Sequence, residues 1–507
     1  MKRLAIGCAI ALLLLSACRR SNFRDSRGIT LAIESEFSDL DPRTATDANS
    51  SRLCALIYSG LFYKDRSMDL QPDLVADYDV TDTCYTLRLK KGLRFHNGAP
   101  LTAEDVLFTY TSLLADDFVS YKKQNFALVK HITLLDSHTI RFELKQPFAP
   151  FLGYLTLGIV SKDVALKGTD SVQSRPVGSG PFRVARLEKG RFIRLERSSG
   201  YHGPAAHVPV LSVRVIKNTT TRLLELQNKG IDILQNDIPY DAVARFDQDP
   251  DFHVVHLPGI NYQYIGCNMR DAILGRPEVR RAIAHAIRRE AIITHVLQGY
   301  AQPARSLLHP INWAYCPDLP DYAFAPDTAR RLIEAAGFTA NGDGMYFSLE
   351  YKTSENSLAI ANAQIIQEQL RQVGIDIKVI PREWATFYND IRKGDFQLFS
   401  LRWVGISDPD IYYYIFHSSS IPPHGANRGH YKNSRLDGLL QEARRTLDRD
   451  RRKALYRQAQ QIIGRELPYI SLWYHDNIVI AQAHIQDVRP YPDGSFRFLL
   501  DIRDSRP

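Results

Sequence analysis

The fold class is decided by residues 375–403, IDIKVIPREWATFYNDIRKGDFQLFSLRW. Apolar and polar residues alternate over 375–379, and this period of two predicts a strand. Residues 384–393 have helical spacing, and a second alternating stretch at 397–402 ends at Trp403. Strand, helix and strand in this order form a β-α-β unit, and ligands favour the carboxyl ends of its strands. The sequence therefore predicts an α/β fold with a ligand site near Trp403.

An aromatic cluster follows the predicted strand end. The chain turns at Gly405 and Asp408, because glycine and an Asp-Pro pair start turns rather than continue strands. Residues 412–416, YYYIF, come next. Aromatic side chains beside a strand end either pack into the core or line a ligand site, and the residues alone leave both interpretations open.

The length and the charge of the chain limit its class. A chain of 507 residues exceeds one hydrophobic core and predicts roughly three domains. Its 64 basic and 56 acidic residues give a net charge of +8, which is mild for this size, and no basic run concentrates that charge. Nucleic acid is therefore not an expected partner.

The first eighteen residues have the form of a secretory signal. Lys2 and Arg3 precede an apolar run at 4–15, which is too short to cross a membrane as a helix. The run ends in Leu-Ser-Ala-Cys, which resembles a bacterial lipobox. We predict a signal peptide at 1–17, lipid attachment at Cys18 and a tether at 18–28. The protein is then extracytoplasmic and lipid-anchored to a bacterial membrane, in the periplasmic space if two membranes are present.

Four cysteines remain beyond the predicted anchor: Cys54, Cys84, Cys267 and Cys316. They form no C-x-x-C pair, which disfavours zinc or thioredoxin-like chemistry. Two disulfides, Cys54–Cys84 and Cys267–Cys316, are one hypothesis, and free buried thiols are the other.

Several local signals mark the elements between these regions. Residues 102–105, TAED, form a capping box that opens a helix. The breaker cluster at 174–181, SRPVGSGP, predicts a crossing between domains. A strand is expected at 262–268, and a long helix at 277–297 begins with proline.

Three motifs, in this order along the chain, resemble those of one family. Residues 85–106 read YTLRLKKGLRFHNGAPLTAEDV, residues 176–182 read PVGSGPF, and residues 279–287 read VRRAIAHAI. Each is weak alone, but together with the lipobox they are specific. On these motifs the chain is similar to the dipeptide/oligopeptide/nickel-binding proteins, family 5 of the extracellular solute-binding proteins, over nearly all of the mature chain.

The resemblance implies a periplasmic-binding-protein-like α/β fold of class II, cluster C. Two main lobes are joined by a hinge, and a further lobe is inserted. Lobe I is expected at 29–45, 178–264 and 481–507, the inserted lobe II at 46–177, and lobe III at 265–480.

The same resemblance implies a function without chemistry. Family members capture peptides between two closing lobes and deliver them to a membrane permease powered by ATPase subunits. We therefore expect no enzymatic activity, no cofactor and no resident metal. We expect the protein to be a monomer. The alternative within the family is a binding protein for nickel, a metallophore or another small solute. A structural or chaperone lipoprotein is a third class.

The residues implied as ligand contacts lie on two walls. An extended peptide would pair with backbone near Glu36 and Phe37 on lobe I, and near Arg402, Trp403 and Val404 on lobe III. Main-chain pairing is blind to side chains, which suits loose sequence preference. Trp384 matches a family pocket tryptophan that covers a ligand side chain.

One expected acid is missing from this pattern. In peptide binders of the family, an Asp shortly after the Trp-x-x motif holds the ligand's α-ammonium group. Here that position is Ile406, and a buried ammonium without an anion is costly. The acid could come from Asp408 or Glu36, or the ligand carries no ammonium there.

Other chemistry has little support in the sequence. There is no G-x-S-x-G, H-E-x-x-H or P-loop motif. His424 and His430 could bind a metal, but their spacing, without a neighbouring carboxylate or cysteine, favours solvated loop residues.

Overall fold

The computed structural model describes residues 28–506. Its strands are β1 (Gly28–Ile33), β2 (Phe62–Lys64), β3 (Leu70–Pro72), β4 (Val75–Val80), β5 (Cys84–Leu89), β6 (Val129–Asp136), β7 (Thr139–Leu144), β8 (Phe182–Glu188), β9 (Phe192–Arg197), β10 (Val210–Val215), β11 (Ile233–Gln235), β12 (Phe252–Cys267), β13 (Ala301–Pro303), β14 (Phe347–Ser354), β15 (Ile375–Arg382), β16 (Leu398–Trp403), β17 (Tyr469–Gln482), β18 (Ile485–Gln486) and β19 (Arg503–Asp504).

The α-helices are α1 (Ala48–Ile57), α2 (Ala103–Leu114), α3 (Phe151–Tyr154), α4 (Lys162–Ala165), α5 (Thr169–Ser174), α6 (Thr219–Gln227), α7 (Tyr240–Asp247), α8 (Pro277–Ala286), α9 (Arg289–His295), α10 (Pro326–Ala335), α11 (Ser357–Arg371), α12 (Trp384–Lys393), α13 (Ile411–Phe416), α14 (Ser434–Arg445) and α15 (Arg449–Glu466). Short 3-10 helices lie at Tyr121–Phe126 and Phe496–Leu500.

One sheet of 11 strands connects the two ends of the molecule, in the order β15-β14-β16-β12-β17-β11-β1-β10-β9-β8, with β13 on β17. Its centre is the antiparallel pair of long strands, β12 with 16 residues and β17 with 14. Their pairing runs from Phe252↔Gln482 to Gly266↔Tyr469, with an irregularity between Leu257 and Asn261. The two strands therefore belong to both halves of the sheet and join them.

The predicted β-α-β unit is present. Strands β15 and β16 both pair parallel with β14, which lies between them, and α12 connects them. After β14 the chain forms β15 on one side of β14 and then β16 on the other side. This change of side makes a topological switch point at the carboxyl ends of these strands. Trp384 and Trp403 lie at those ends.

The division into three lobes stays a prediction, and the described residues form several separate apolar cores. The four-stranded sheet β4-β5-β7-β6 and α2 share a core with Tyr85, Tyr110 and Phe142 at its centre. The predicted capping box opens α2, with Thr102 and Asp105 bonding reciprocally to the helix start. Helix α1, by contrast, packs into the core of β1, β8, β9 and β10.

The long helix predicted at 277–297 is wrong, because the chain breaks after Ala286. Ile287 is extended, and a second helix, α9, begins at Arg289. The buried guanidinium of Arg289 donates to the carbonyls of Ala284 and Ile287, and also to those of Tyr322 and Ser471. The side chain therefore terminates α8 and ties it to the sheet, which a helical period in the sequence does not reveal.

The hypothesis of two disulfides is also wrong. Cys54, Cys84, Cys267 and Cys316 are all free thiols. Cys54 packs in the core with α1, whereas Cys84 starts a strand of the inserted sheet. Burial raises the pKa of Cys54 and Cys267, so both remain protonated and behave as small apolar side chains.

A buried neutral histidine lies where β17 meets β12. Trp473 donates its Nε1–H to Nε2 of His475 at 3.1 Å, so the imidazole proton is on Nδ1, which faces the hydroxyl of Tyr240 at 3.2 Å. Burial, with a smaller contribution from Arg402, lowers the pKa of His475 to about 3. The unfolded chain therefore binds a proton first as the pH falls.

We expect this histidine to make the protein less stable in mild acid. The contribution of neutral His475 is complete above the unfolded pKa near 6.5 and is lost progressively as the pH falls towards 3. At pH 5 the loss is roughly 2 kcal/mol. Urea unfolding at pH 7 and pH 5 measures it, and His475→Gln should reduce the difference between the two pH values. The exposed His424→Gln is the control, and equal pH sensitivity of both variants would contradict the assignment. His309, whose pKa burial lowers to about 4, leaves a residual slope in each.

Candidate functional site

Four aromatic side chains gather at the carboxyl ends of β15 and β16. We call Trp384, Tyr388, Trp403 and Tyr414 the aromatic shelf. Trp384 stacks on Tyr388 with ring centroids 5.8 Å apart, and Trp403 meets Tyr414 edge-on at 6.4 Å. Trp384 is 56% exposed and Tyr414 37% exposed. A group of exposed aromatic rings on a folded protein indicates a binding surface.

Local chemistry fixes Trp384 in this position. Glu383 is the N-cap of α12, and its carboxylate accepts from the backbone N–H groups of Ala385 and Thr386 at 2.9 and 3.2 Å. These hydrogen bonds lower the pKa of Glu383. Gly394, in the left-handed conformation, ends the helix. Trp384 is therefore the first helical residue, directly after β15.

A buried arginine lies beneath the shelf. The guanidinium carbon of Arg428 is 5.1 Å from the ring centre of Trp403 and 5.5 Å from that of Tyr388. Its nitrogens donate long hydrogen bonds to the hydroxyls of Tyr264 and Tyr388, at 3.3 and 3.4 Å. Burial opposes its charge, but the tyrosines at 264, 469 and 388 raise the pKa of Arg428, so it stays a cation.

The opposite face of β16 carries a second cation. Arg402 is exposed and lies on the side of the strand away from Trp403. Across from it is Arg52 of α1, which donates to Asn49 Oδ1 at 3.2 Å. Burial lowers the pKa of Arg52. The carboxylates of Glu34 and Asp493 oppose that shift, and the charge of Arg402 adds to it. Positive charges from the two halves of the molecule thus approach each other.

The structure brings some of the predicted contact residues together. Trp384, Arg402, Trp403 and Val404 all lie at the carboxyl end of β15 and β16, and the side chain of Val404 is 51% exposed. Trp403 is only partly buried, at the edge of a core cluster.

The two predicted residues of the other wall point elsewhere. Glu36 forms an ion pair with Lys217 at 2.6 Å, and both side chains are exposed. Phe37 is 3% exposed and packs in the core around β1. Their backbone follows β1, so pairing of a ligand with this main chain stays a prediction.

Asp408 is part of a contact with the inserted segment. It lies 3.4 Å from Arg452 and close to Gly153. Beside it, Asp410 pairs with Arg444 at 2.9 Å and accepts from the hydroxyl of Tyr154 at 3.4 Å. Burial raises the pKa of Asp410 to about 6, and the charge of Arg444 opposes the shift.

The position expected to carry the acid is apolar in structure as well as in sequence. Ile406 is 6% exposed and packs into the same core cluster as Tyr412 and Phe416. It therefore offers no charge to a ligand at the shelf.

Neither a metal site nor a membrane span is found in the part of the chain that is described. Within residues 28–506 no group of three or more His, Cys, Asp or Glu side chains could hold a metal ion. His424 is exposed, and His430, in a left-handed turn, has its pKa lowered by burial and by Arg270 and Lys432. No helix among those residues is long and apolar enough to cross a bilayer. Cys18 lies outside them.

The sequence did not single out Arg428 or Tyr388. Arg428 lies in a loop between α13 and α14 that lacks periodicity, and a lone arginine there is usually solvated. Tyr388 was hidden in the helical stretch, although its position one turn after Trp384 could have placed both on one helix face.

The chain has relatives throughout this fold. It is 27% identical over 471 residues to the oligopeptide-binding protein AppA of Bacillus subtilis, covering 88% of this chain and 86% of the relative. It is 28% identical over 514 residues to the glutathione-binding protein GsiB of Shigella boydii, covering 97% of each.

Solved structures of similar proteins have the same fold as this chain. The periplasmic binding protein DppA of Helicobacter pylori, in complex with the peptide STSA, superposes with a TM-score of 0.79 at 27% identity, covering 94% of this chain and 98% of that one. This likeness confirms the periplasmic-binding-protein-like α/β fold expected from the motifs. The family model of the bacterial extracellular solute-binding proteins, family 5 Middle, matches residues 69–422. On this match, the chain belongs to the bacterial extracellular solute-binding proteins of family 5.

Proposed function

We propose that this protein captures peptides in extended form between lobes I and III and delivers them to the membrane permease of an ABC importer. The observation that carries the proposal is the aromatic shelf at the carboxyl ends of β15 and β16, where the chain makes its topological switch point. Membership of a solute-binding family makes the protein a binder and not an enzyme.

Relatives support peptide as the ligand. AppA of Bacillus subtilis, solved in complex with a nonapeptide, has a TM-score of 0.78 to this chain at 25% identity. The main chain at Val404, an exposed residue directly after Trp403, would offer hydrogen bonds to an added strand, and Glu36 and Phe37 would offer the second edge. Trp384 would cover a ligand side chain. Asp408 would affect binding indirectly, through its contact with Arg452 and the inserted segment.

Location and assembly complete the proposal. The family is extracellular, and the lipobox would place Cys18 on a bacterial membrane as a lipid-anchored monomer, next to the permease and its ATPase subunits. Mass spectrometry of the membrane-extracted protein tests the anchor, since an unmodified amino terminus before residue 18 would contradict it.

A binding experiment tests the peptide ligand. Mature protein, unfolded and refolded to remove passenger ligand, should unfold at a higher temperature with a pool of short peptides, because a ligand that binds only the native state stabilises it. Native mass spectrometry identifies the bound peptide. A shift only with nickel and a chelating small molecule would overturn the peptide assignment in favour of a metallophore.

A pair of aromatic variants tests the shelf. Trp384→Ala should weaken peptide binding about tenfold or more, because stacking area is lost at the ligand. Tyr121→Ala removes an aromatic ring that is 83% exposed in the inserted segment and should leave affinity unchanged. Equal affinities of the two variants would remove Trp384 from the site.

A further inference from the structure

Arg428 is a buried cation without an acidic partner. The side chain is 7% exposed, and no carboxylate within residues 28–506 forms an ion pair with it. The groups that favour its charge are the phenols at 264, 469 and 388. A buried charge normally has a paired counter-ion, because desolvation is costly.

Two neighbouring polar groups also lack a well-formed hydrogen bond. The indole Nε1 of Trp403 and the hydroxyl of Tyr469 are buried and, among the described residues, make no hydrogen bond of acceptable geometry. An indole N–H only donates, and so does a guanidinium. The groups that favour the charge of Arg428 are therefore neutral phenols, and none of the described residues beside it supplies a carboxylate.

The acids that could have balanced this charge are engaged elsewhere. Asp408 faces Arg452 and the inserted segment, and the exposed side chain of Glu36 pairs with Lys217. Ile406 is apolar. On lobe I, Glu34 and Asp493 balance Arg52. The excess positive charge thus belongs to the lobe III wall.

We propose that the lobe III wall recognises a carboxylate of the ligand, held by the guanidinium of Arg428 between Trp403 and Tyr388. This rests on the proposed function and gives it a substrate class: solutes with a carboxylate, and not an ammonium group, at the shelf. Arg402, exposed on the face of β16 opposite Trp403, adds attraction for an anion approaching the end of that strand. The carboxylate is that of a peptide carboxyl terminus or of an acidic side chain.

The test compares matched pools of short peptides on the refolded full-length mature protein. Pools built from Ala and Glu are set against pools from Ala and Gln, each with a free or amidated carboxyl terminus and a free or acetylated amino terminus. A second panel holds small dicarboxylic and tricarboxylic acids. We expect acetylation to leave affinity within a few-fold, and removal of the recognised carboxylate to weaken it about tenfold or more. Loss on amidation identifies the terminus, and loss on Glu-to-Gln exchange identifies the side chain.

Variants locate the effect. Arg428→Gln should weaken binding of the preferred pool about tenfold or more and remove the discrimination against its neutralised partner, whereas Arg428→Lys should keep part of it. Arg435→Gln, an exposed arginine of α14, is the control. If Arg428→Gln unfolds, the comparison of pools on the unaltered protein still decides.

Each outcome supports or overturns the carboxylate proposal, the peptide proposal or both. Equal binding of charged and neutralised peptides overturns the carboxylate proposal and leaves peptide capture standing. Binding confined to the small acids, and dependent on Arg428, overturns peptide capture and supports the carboxylate. If the protein prefers a free amino terminus over an acetylated one, and removal of the carboxylate has no effect, the carboxylate proposal is overturned in favour of ammonium recognition. No binding in either panel overturns both.

Discussion

Replacing Gly178 with alanine is expected to destabilise the protein by about 3 kcal/mol or more, because the added methyl group would meet backbone. A Cβ at this position would lie 1.9 Å from the carbonyl oxygen of Ile57 and 2.7 Å from its carbon. The same oxygen accepts from the N–H of Gly180 at 2.8 Å, so the clash also breaks a hydrogen bond between the end of α1 and the start of β8. Urea unfolding measures the loss.

The matched control is Gly200→Ala. Gly200 is exposed, and a Cβ there would meet nothing within 4 Å. The free energy of unfolding of this variant should change by no more than about 0.5 kcal/mol. If the two variants unfold at the same urea concentration, the close approach of residues 176–182 to α1 is not the reason for the glycines in that motif.

Replacing Arg289 with alanine should cost roughly 3–5 kcal/mol. The side chain donates to the carbonyl oxygens of Ser471, Ala284 and Tyr322 at 2.7, 2.9 and 3.1 Å, all in a buried place. Burial lowers the pKa of Arg289 to about 10, so the group is still charged at neutral pH and its hydrogen bonds are strong. Its loss leaves carbonyl groups without donors.

Arg288→Ala is the neighbouring control. Arg288 is exposed and lies over the ring of Phe324 at 4.4 Å, a contact of about 0.5–1 kcal/mol. Unfolding followed by circular dichroism compares the two. A loss for Arg289→Ala no greater than for Arg288→Ala would show that α8 ends for another reason.

Elements with a clear period were predictable. The alternation at 375–379 and 397–402 gave two strands whose side chains sort to two faces, and residues 384–393 gave α12 with its boundaries. The capping box at 102–105 gave the start of α2, since both of its hydrogen bonds are local. The family motifs gave the fold that the solved relatives confirm.

Elements decided by distant contacts were not predictable. Residues 277–297 keep a helical period through Arg289, and only the carbonyls of Tyr322 and Ser471 show why the helix breaks. Likewise β12 extends ten residues before the strand expected at 262–268, because β17 lies beside it. The free thiols were not predictable because Cys54 packs in the core of β1, whereas Cys84 is a partly buried residue at the start of β5 in another sheet.

The sequence by itself determined the α/β class, the family and the position of Trp403 at a strand end, because these depend on short-range period and on motifs. Only the tertiary structure decided which charges face the shelf. Asp408 and Glu36 are bound to partners far along the chain, Arg452 and Lys217, while Arg428 enters the site from a loop without pattern. Electrostatic complementarity depends on distances in space, and those distances are set by packing across the whole fold.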